Sequence, residues 1–474
     1  MGVSRYFLIL FVAAIISMQW LDLSIFSGNP FQKYILQPQK AQIYPPLNCS
    51  DTCPPKFYAK SNLGTSSQTC PDYFRWIYED LRPWKKTGIT KEMVDRGKDH
   101  AHIRLVIVNG TVYMEKFDRP VFQTRDVFTV WGILQLLRLY PGQLPDVDLM
   151  IECGDKPKFL KEDYDKQNVV PPVFHYCGDD SSYDIVFPDW SYWGWPELKI
   201  KPWEVIKKDL EEANNVTKWE NREPYAYWKG NAKLGRRPEL VKCNLSEEHD
   251  WNARIYAIDW QKERRAEGFK NSDLTDQCTH KYKIYVEGNA WSVSEKYILA
   301  CDSVTLIINT HFYDFFTRSL VPTVHYWPIN ENQECRSIKF AVDWGNHHPE
   351  KAKEIGEQGS RFVQTEVQMK YVYDYMFHLF SEYSKLLRYK PTVPANATEV
   401  CSESLVCSGV GMKKRLKLQS LVKSPSVTGP CNMPNPYEPA ALQEFLERKG
   451  NLTRQVELWE SSYNTGVSKF ETDV

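Results

Sequence analysis

The sequence lacks charge of one sign: 59 Lys and Arg stand against 60 Asp and Glu, a formal balance of −1. Signs so evenly mixed create no global field, which excludes a partner such as nucleic acid held on a broadly basic face. One basic run, Lys413-Lys414-Arg415, is short enough to read as a solvated loop. The signatures of several enzyme classes are missing too. There is no P-loop, no GxGxxG, no HExxH and no GxSxG, so P-loop nucleotide hydrolysis, dinucleotide-linked hydride transfer, zinc proteolysis and α/β-hydrolase chemistry are set aside. No apolar run reaches the ~20 residues of an ordinary membrane span.

The longest such run is residues 6–21, YFLILFVAAIISMQWL, preceded by Arg5 and closed by Asp22. A cleaved signal peptide competes, but no small-x-small cleavage site follows within LDLSIFSGNP. We expect an uncleaved signal anchor, with residues 1–23 as cytosolic tip and transmembrane helix. A short span suits the thinner early secretory membranes, and Arg5 on the cytosolic side puts everything after it in the lumen. Six Asn-x-Ser/Thr sequons, at Asn48, Asn109, Asn215, Asn244, Asn396 and Asn451, and an even number of cysteines, 12, agree with an oxidising lumen. Aromatic residues, with 16 Trp and 27 Tyr, exceed what an average core requires and suit a surface that stacks on sugars.

A chain of 474 residues exceeds the size at which one core splits, so two domains are expected. Residues 24–69 are rich in Pro, Ser, Asn and Gln and carry Cys49 and Cys53; with Cys70 they read as a stem tied by local disulfides. Alternation of strand and helix begins near Cys70. Strands 102–108 and 111–117 flank an Asn109-Gly110 hairpin turn, with which a glycan on Asn109 would compete. Val127, Val130, Ile133, Leu134 and Leu137 recur at helical spacing, and strands follow at 147–151, 173–176 and 184–187. A helix at 203–213 leads to a polar junction at Asn214 and Asn215. Beyond it come strand 225–228, helix 237–243, strand 282–286, helix 293–301, and strands 303–308 and 323–326. Helices at 350–357 and 361–387 precede an irregular tail from 391 to 474. The domains are therefore placed at 70–218, 219–345 and 346–390, the last a set of helices packing back across the first two. This is α/β, with two Rossmann-like domains facing a central cleft.

Three stretches could carry chemistry. In the first, strand 282–286 ends in Glu287-Gly288, and Ser292 with Glu295 forms a capping box that opens a helix. The free N–H groups of such a helix face the crevice where ligands of open α/β sheets bind, a favourable place for a diphosphate beyond Gly288. Many capped helices after a strand bind nothing, which is the alternative. In the second, AYWKGNAKLGRRPELVKCN, a strand again meets a glycine-containing loop and a helix. Its Lys229, Lys233, Arg236 and Arg237 cluster beside Gly230 and Asn231 at the helix entry, and Arg236 or Arg237 is a candidate phosphate clamp, since guanidinium groups grip phosphates bidentately; a solvated basic turn is the alternative. In the third, Asp155 follows strand 147–151 and faces the cleft, as a general base for a hydroxyl nucleophile. Its alternative is a turn-capping Asp beside Gly154.

Trp190 and Trp193 of FPDWSYWGWPELK are sugar-stacking candidates, with core packing as the alternative. Asp146-Val147-Asp148 has the spacing of a Mn-binding DxD. It sits at the start of a strand, opposite the usual site, so no metal is assigned to it.

Six blocks then occur in one order: CPDYFRWIYEDLRPW, LPDVDLMIECGDKPKF, YDIVFPDWSYWGWPE, YAYWKGNAKLGRRPEL, CTHKYKIYVEGNAWSVSEKYILACDSVTL and VPTVHYWPI. In this order they resemble the Rumi-type lumenal O-glycosyltransferases, glycosyltransferase family 90, which includes animal protein O-glucosyltransferases, fungal capsule xylosyltransferases and many plant members. The chain looks most like the plant branch. The resemblance implies a GT-B fold and inverting transfer of glucose or xylose from UDP-glucose or UDP-xylose to a protein or polysaccharide hydroxyl. No cofactor or metal is obligatory, Asp155 is the catalytic base, and Arg237 grips the diphosphate. It also implies a disulfide between Cys278 and Cys301. The chain departs from the animal members at Ser294, where they carry Arg, so Ser292, Ser294, Lys296 or the helix end takes over that contact. This departure keeps a second reading open, a non-catalytic lumenal glycan- or peptide-binding protein. With ETDV at its end in place of a Lys-Asp-Glu-Leu type signal, the chain is expected as a single-pass type II protein of the Golgi membrane, with the endoplasmic reticulum second.

Overall fold

The computed structural model describes residues 43–49, 53, 63–164, 170–266, 269 and 273–465. The expected anchor at 6–21 lies outside the described residues. Among the described residues, no helix is long and apolar enough to cross a membrane.

The strands run β1 (Ile103–Val108), β2 (Thr111–Lys116), β3 (Val147–Ile151), β4 (Val173–His175), β5 (Gly178–Asp179), β6 (Ile185–Val186), β7 (Glu223–Gly230), β8 (Ala253–Ala257), β9 (His280–Tyr285), β10 (Val304–Ile308), β11 (Phe312–Tyr313), β12 (Trp327–Ile329) and β13 (Thr398–Val400). They form a mixed six-stranded sheet in the order β13-β2-β1-β3-β4-β6 and a five-stranded sheet in the order β12-β10-β9-β7-β8. Every pairing in the second sheet is parallel. Its interior β10, VTLII, is apolar almost throughout and wholly buried, as a strand covered by helices on both faces must be. Each sheet anchors its own apolar core, and both belong to one compact unit, Ile43–Val474. The short pair β5–β11 joins the two halves directly.

The Asn109-Gly110 hairpin forms, with positive φ at both residues (49° and 73°), as its two-residue turn demands. The junction expected at Asn214 and Asn215 lies in the last turn of the helix Trp203–Val216. Buried Asn214 donates to Ala300 O (2.8 Å) and accepts from Arg222 (3.1 Å) and Asp302 N–H (3.1 Å), which fastens the helix end to the second sheet.

Several expectations need correction. The segment 323–326 is a turn, closed by Thr323 N–H on Tyr326 O with φ 60° at Thr323, and the strand begins one residue later. In place of the two late helices at 350–357 and 361–387 there are three: Glu334–His347 was not expected, the next runs Pro349–Glu366 with Pro349 in its first turn, where a missing N–H costs nothing, and the last is Met369–Leu386. The tail is not irregular: its helix Pro439–Asn464 runs 26 residues. Trp459 brings its ring to Trp327 and Trp344, and Glu460 accepts from Ser337 at 2.9 Å. The stem disulfides are not local, since Cys49, Cys53 and Cys70 bond to Cys407, Cys401 and Cys431. Residues near each end of the folded chain are thereby locked together. Cys243–Cys335 and the expected Cys278–Cys301 complete the bonded pairs, while Cys153 and Cys177 are buried thiols.

Candidate active site

β3 is buried on both faces, and Glu152 N–H extends its ladder by donating to Phe174 O at 3.0 Å. The residues Glu152 to Asp155 therefore leave the sheet together at its carboxyl edge. The Glu152 carboxylate lies 2.7 Å from His175 Nε2 and accepts the Gly154 N–H at 2.7 Å, pinning the loop from below. Burial opposes charge on His175, but the Glu152 carboxylate at Nε2 and the Cys177 carbonyl oxygen, 2.8 Å from Nδ1, favour it and raise its pKa above the usual value.

At the far end of β3 the DxD pair is occupied. Asp148 is buried and accepts from both arms of Arg104 (2.7 and 2.6 Å) and from Tyr389 (2.9 Å), and Asp146 accepts Asn109 N–H at 2.7 Å.

Asp155 is half-buried. Its Oδ1 lies 2.9 Å from Arg125 Nη1, and its Oδ2 accepts from Asn289 Nδ2 at 3.0 Å. Burial alone would raise its pKa; Arg125 and Asn289 outweigh that and hold the carboxyl below its ordinary value, hence ionised at neutral pH. Arg125 is the first residue of the helix Arg125–Leu139, with its guanidinium 4.3 Å from the Trp190 ring centroid.

Asn289 comes from the other half. β7 ends at Gly230 and β9 near Glu287, two neighbouring parallel strands whose loops leave the same sheet edge. The loops touch at two glycines. Gly235 has φ +53°, and a Cβ there would lie 1.9 Å from Gly288 O, so any side chain would push the loops apart. Arg237 spans the joint, donating from Nε to Glu287 O (3.0 Å), from Nη1 to Asn231 O (3.3 Å) and from Nη2 to Ser292 Oγ (3.1 Å). All three acceptors are neutral. Among the described residues no carboxylate forms an ion pair with Arg237, and burial lowers its pKa. It is a desolvated cation at the carboxyl edge of a parallel sheet without an anion.

The expected residues thus divide. Asp155, Gly230, Asn231, Arg237, Gly288, Ser292 and Ser294 converge, with Ser292 Oγ 2.9 Å from Ser294 Oγ. Arg236 instead turns to Glu331, 3.3 Å from its carboxylate and 2.8 Å from its carbonyl oxygen. Lys296 is buried against Asp189 (3.3 Å) and Ser191 (2.8 Å) and is not available to a ligand. The capping box does not form, because Ser292 spends its hydroxyl on Arg237 and Ser294. The helix itself is only Glu295–Leu299, too short for much of the expected macrodipole. Trp193 is core: it packs on Gly132 and donates to Tyr373 at 3.0 Å. Trp190 is also buried, and its face backs Arg125 rather than a sugar. The sequence reading missed Arg125, Glu152, His175 and Asn289. No local pattern joins Arg125 to Asp155, while Asn289 was visible as a neighbour of Gly288.

A cavity of about 770 Å³ opens elsewhere between the halves, lined by Asp80, Tyr183, Glu295, His311, Tyr313 and Arg318 among others; Asp155, Asn289 and Arg237 are not on its wall.

The profile described as glycosyl transferase family 90 matches residues 65–460. The chain belongs to glycosyl transferase family 90. It is similar to "Protein O-glucosyltransferase 1" of Homo sapiens, 27% identical over 346 residues, which are 69% of this chain and 83% of that protein. It is also similar to the "O-glucosyltransferase rumi homolog" of Anopheles gambiae, 25% identical over 352 residues (71% and 83%), and to "O-glucosyltransferase rumi" of Drosophila melanogaster, 25% over 351 (70% and 81%). This glycosyltransferase is a UDP-sugar-dependent O-glycosyltransferase with a mixed α/β fold. Its disulfides set it in an oxidising compartment, the lumen of the secretory pathway.

Proposed function

We propose that this family 90 enzyme is an inverting GT-B transferase moving glucose or xylose from its UDP-sugar to a hydroxyl of a protein or polysaccharide. Two cores, a parallel sheet presenting its carboxyl edge and the β5–β11 link support the GT-B reading. The observation that carries the mechanism is Arg237, a cation that pairs with no carboxylate among the described residues, beside the turn whose Asn289 grips Asp155.

In the reaction the acceptor hydroxyl gives its proton to Asp155. Its oxygen bonds to the anomeric carbon, and the bond from that carbon to the diphosphate oxygen breaks on the opposite face. The electron pair leaves with UDP, whose developing charge Arg237 stabilises, helped by the Ser292 and Ser294 hydroxyls. No metal is obligatory here, because a guanidinium supplies the countercharge. The relatives named O-glucosyltransferases favour glucose and a protein acceptor; xylose and polysaccharide remain arms of the test.

For the compartment we propose a Golgi membrane anchored through residues 6–21, with the endoplasmic reticulum as the alternative. Glycans on the sequon asparagines that resist endoglycosidase H would support the Golgi. The catalytic reading is tested by UDP release from a panel of UDP-sugars, with glucose-linked and xylose-linked donors compared. Turnover of neither, with no thermal shift by UDP, would overturn it.

A further inference from the structure

Both oxygens of Asp155 are engaged, each by a residue from a different half of the molecule. We propose that Arg125 and Asn289 are positioning residues for the base, Arg125 fixing its charge and Asn289 tying it to the turn that receives the donor's diphosphate. This rests on the reading of Asp155 as base and Arg237 as diphosphate site.

Arg125 is built to stay put. Its side chain is 7% exposed, its guanidinium lies between the rings of Trp190 (4.3 Å) and Phe122 (5.1 Å), and Nη1 also donates to Cys153 O at 3.1 Å. One group thus bonds both the carboxylate and the backbone that carries it. A planar guanidinium stacks between rings in a way an ammonium does not.

Asn289 is exposed, yet its neighbours on both sides are fixed. Gly288 N–H closes the turn on Ala290 O at 2.9 Å, Gly235 abuts Gly288, and Arg237 bonds Glu287 O before the turn and Ser292 Oγ after it. A diphosphate drawn to Arg237 acts on the two ends of the segment that presents Asn289. The carboxylate that will accept the proton is thus held by the same turn that meets the leaving group. The groups facing Asp155 are Arg125 from its helix, Asn289 from the turn, and more distantly His175 from β4.

The test is the pH profile of UDP-glucose turnover in Arg125→Lys, Arg125→Met, Asn289→Ala and Asn289→Asp, alongside Asp155→Asn and UDP-induced thermal shifts. Asn289→Asp places a like charge beside Asp155, so the acid limb of kcat/KM moves to higher pH by about one to three pH units. Arg125→Met moves it the same way, and Arg125→Lys restores part of the original position. Asn289→Ala lowers kcat about tenfold with donor KM little changed. Asn289 is a surface residue, so its variants fold even if Arg125→Met does not. An unmoved acid limb in Asn289→Asp, with Asp155→Asn inactive, overturns the positioning role and leaves the base intact. Activity in Asp155→Asn overturns the base reading itself.

Discussion

Arg237→Met removes a buried cation that, among the described residues, forms no ion pair with a carboxylate. In the free protein its partners are three neutral oxygens at 3.0, 3.3 and 3.1 Å, so the guanidinium is already aimed and little order must be gained on binding. A charge-assisted hydrogen bond of this kind contributes about 1.5–3 kcal/mol. At about 1.4 kcal/mol per tenfold, its loss weakens UDP binding roughly 10- to 150-fold. In the unliganded protein two effects oppose each other: removing a buried charge that lacks a counterion relieves a desolvation cost, while Glu287 O, Asn231 O and Ser292 Oγ lose their donor. The discriminating readout is therefore the ligand-induced shift of the melting temperature, which collapses, measured relative to each variant's own unliganded value. At a UDP concentration of 100 times the wild-type Kd, the wild type gains about 2.7 kcal/mol, and a variant bound a hundredfold more weakly gains only about 0.4 kcal/mol. Titration calorimetry with UDP gives the affinity and thermal denaturation the stabilisation. Arg236→Met is the control: that residue pairs with Glu331, so affinity for UDP changes by no more than about twofold. Wild-type affinity in Arg237→Met, or a larger loss in Arg236→Met, refutes the reasoning.

Other perturbations test the frame that carries the site. Arg104→Met leaves Asp148 buried without its cation and is expected to cost about 3–5 kcal/mol in urea denaturation, with no change in metal dependence of turnover. Replacing both Cys278 and Cys301 by Ser opens a loop with a sequence separation of 23 and lowers stability by about 3.5 kcal/mol on the chain-entropy account. Lys283 is buried in β9, and burial with the nearby Arg222 lowers its pKa to about 7. Between about pH 7 and its ordinary value near 10.4 the unfolded chain holds a proton that the folded chain has shed, so stability rises with pH there. Lys283→Met removes this slope and stabilises the protein at neutral pH, measurable as denaturation midpoints from pH 6 to pH 10.

Much of the candidate site was written in short stretches of sequence. The strand-glycine-helix pattern at 225–241 and at 282–299 is local, and so was Asp155 at the end of an apolar strand. What the pattern misjudged was the environment of long polar side chains. Lys296 and Arg236 carry the same charge as Arg237 and lie as near the turns in sequence, but Asp189 and Glu331, 107 and 95 residues away, claim them. Ser292 lost its capping role to Arg237, 55 residues distant. The Trp190 and Trp193 rings read as sugar platforms only until burial was known. In the fold, β8 was overlooked because Ala253–Ala257 is a short edge strand with a weak apolar pattern. The tail helix was overlooked because its contacts with the body are scattered along it, Leu442 and Phe445 against the first core, Lys449 on Arg318 O, and Val456, Trp459, Glu460 and Tyr463 against the second. Disulfide partners separated by about 350 residues leave no trace in spacing at all.

The central claim is that Asp155 accepts the acceptor's proton while Arg237 holds the departing UDP. The most direct measurement is UDP release by wild type and Asp155→Asn from the UDP-sugar that the wild type turns over, with UDP affinity measured on the same preparations. The account predicts turnover lost by at least about a hundredfold in Asp155→Asn, as expected for removal of a general base, with UDP affinity retained. Turnover within a few-fold of wild type in Asp155→Asn would contradict it.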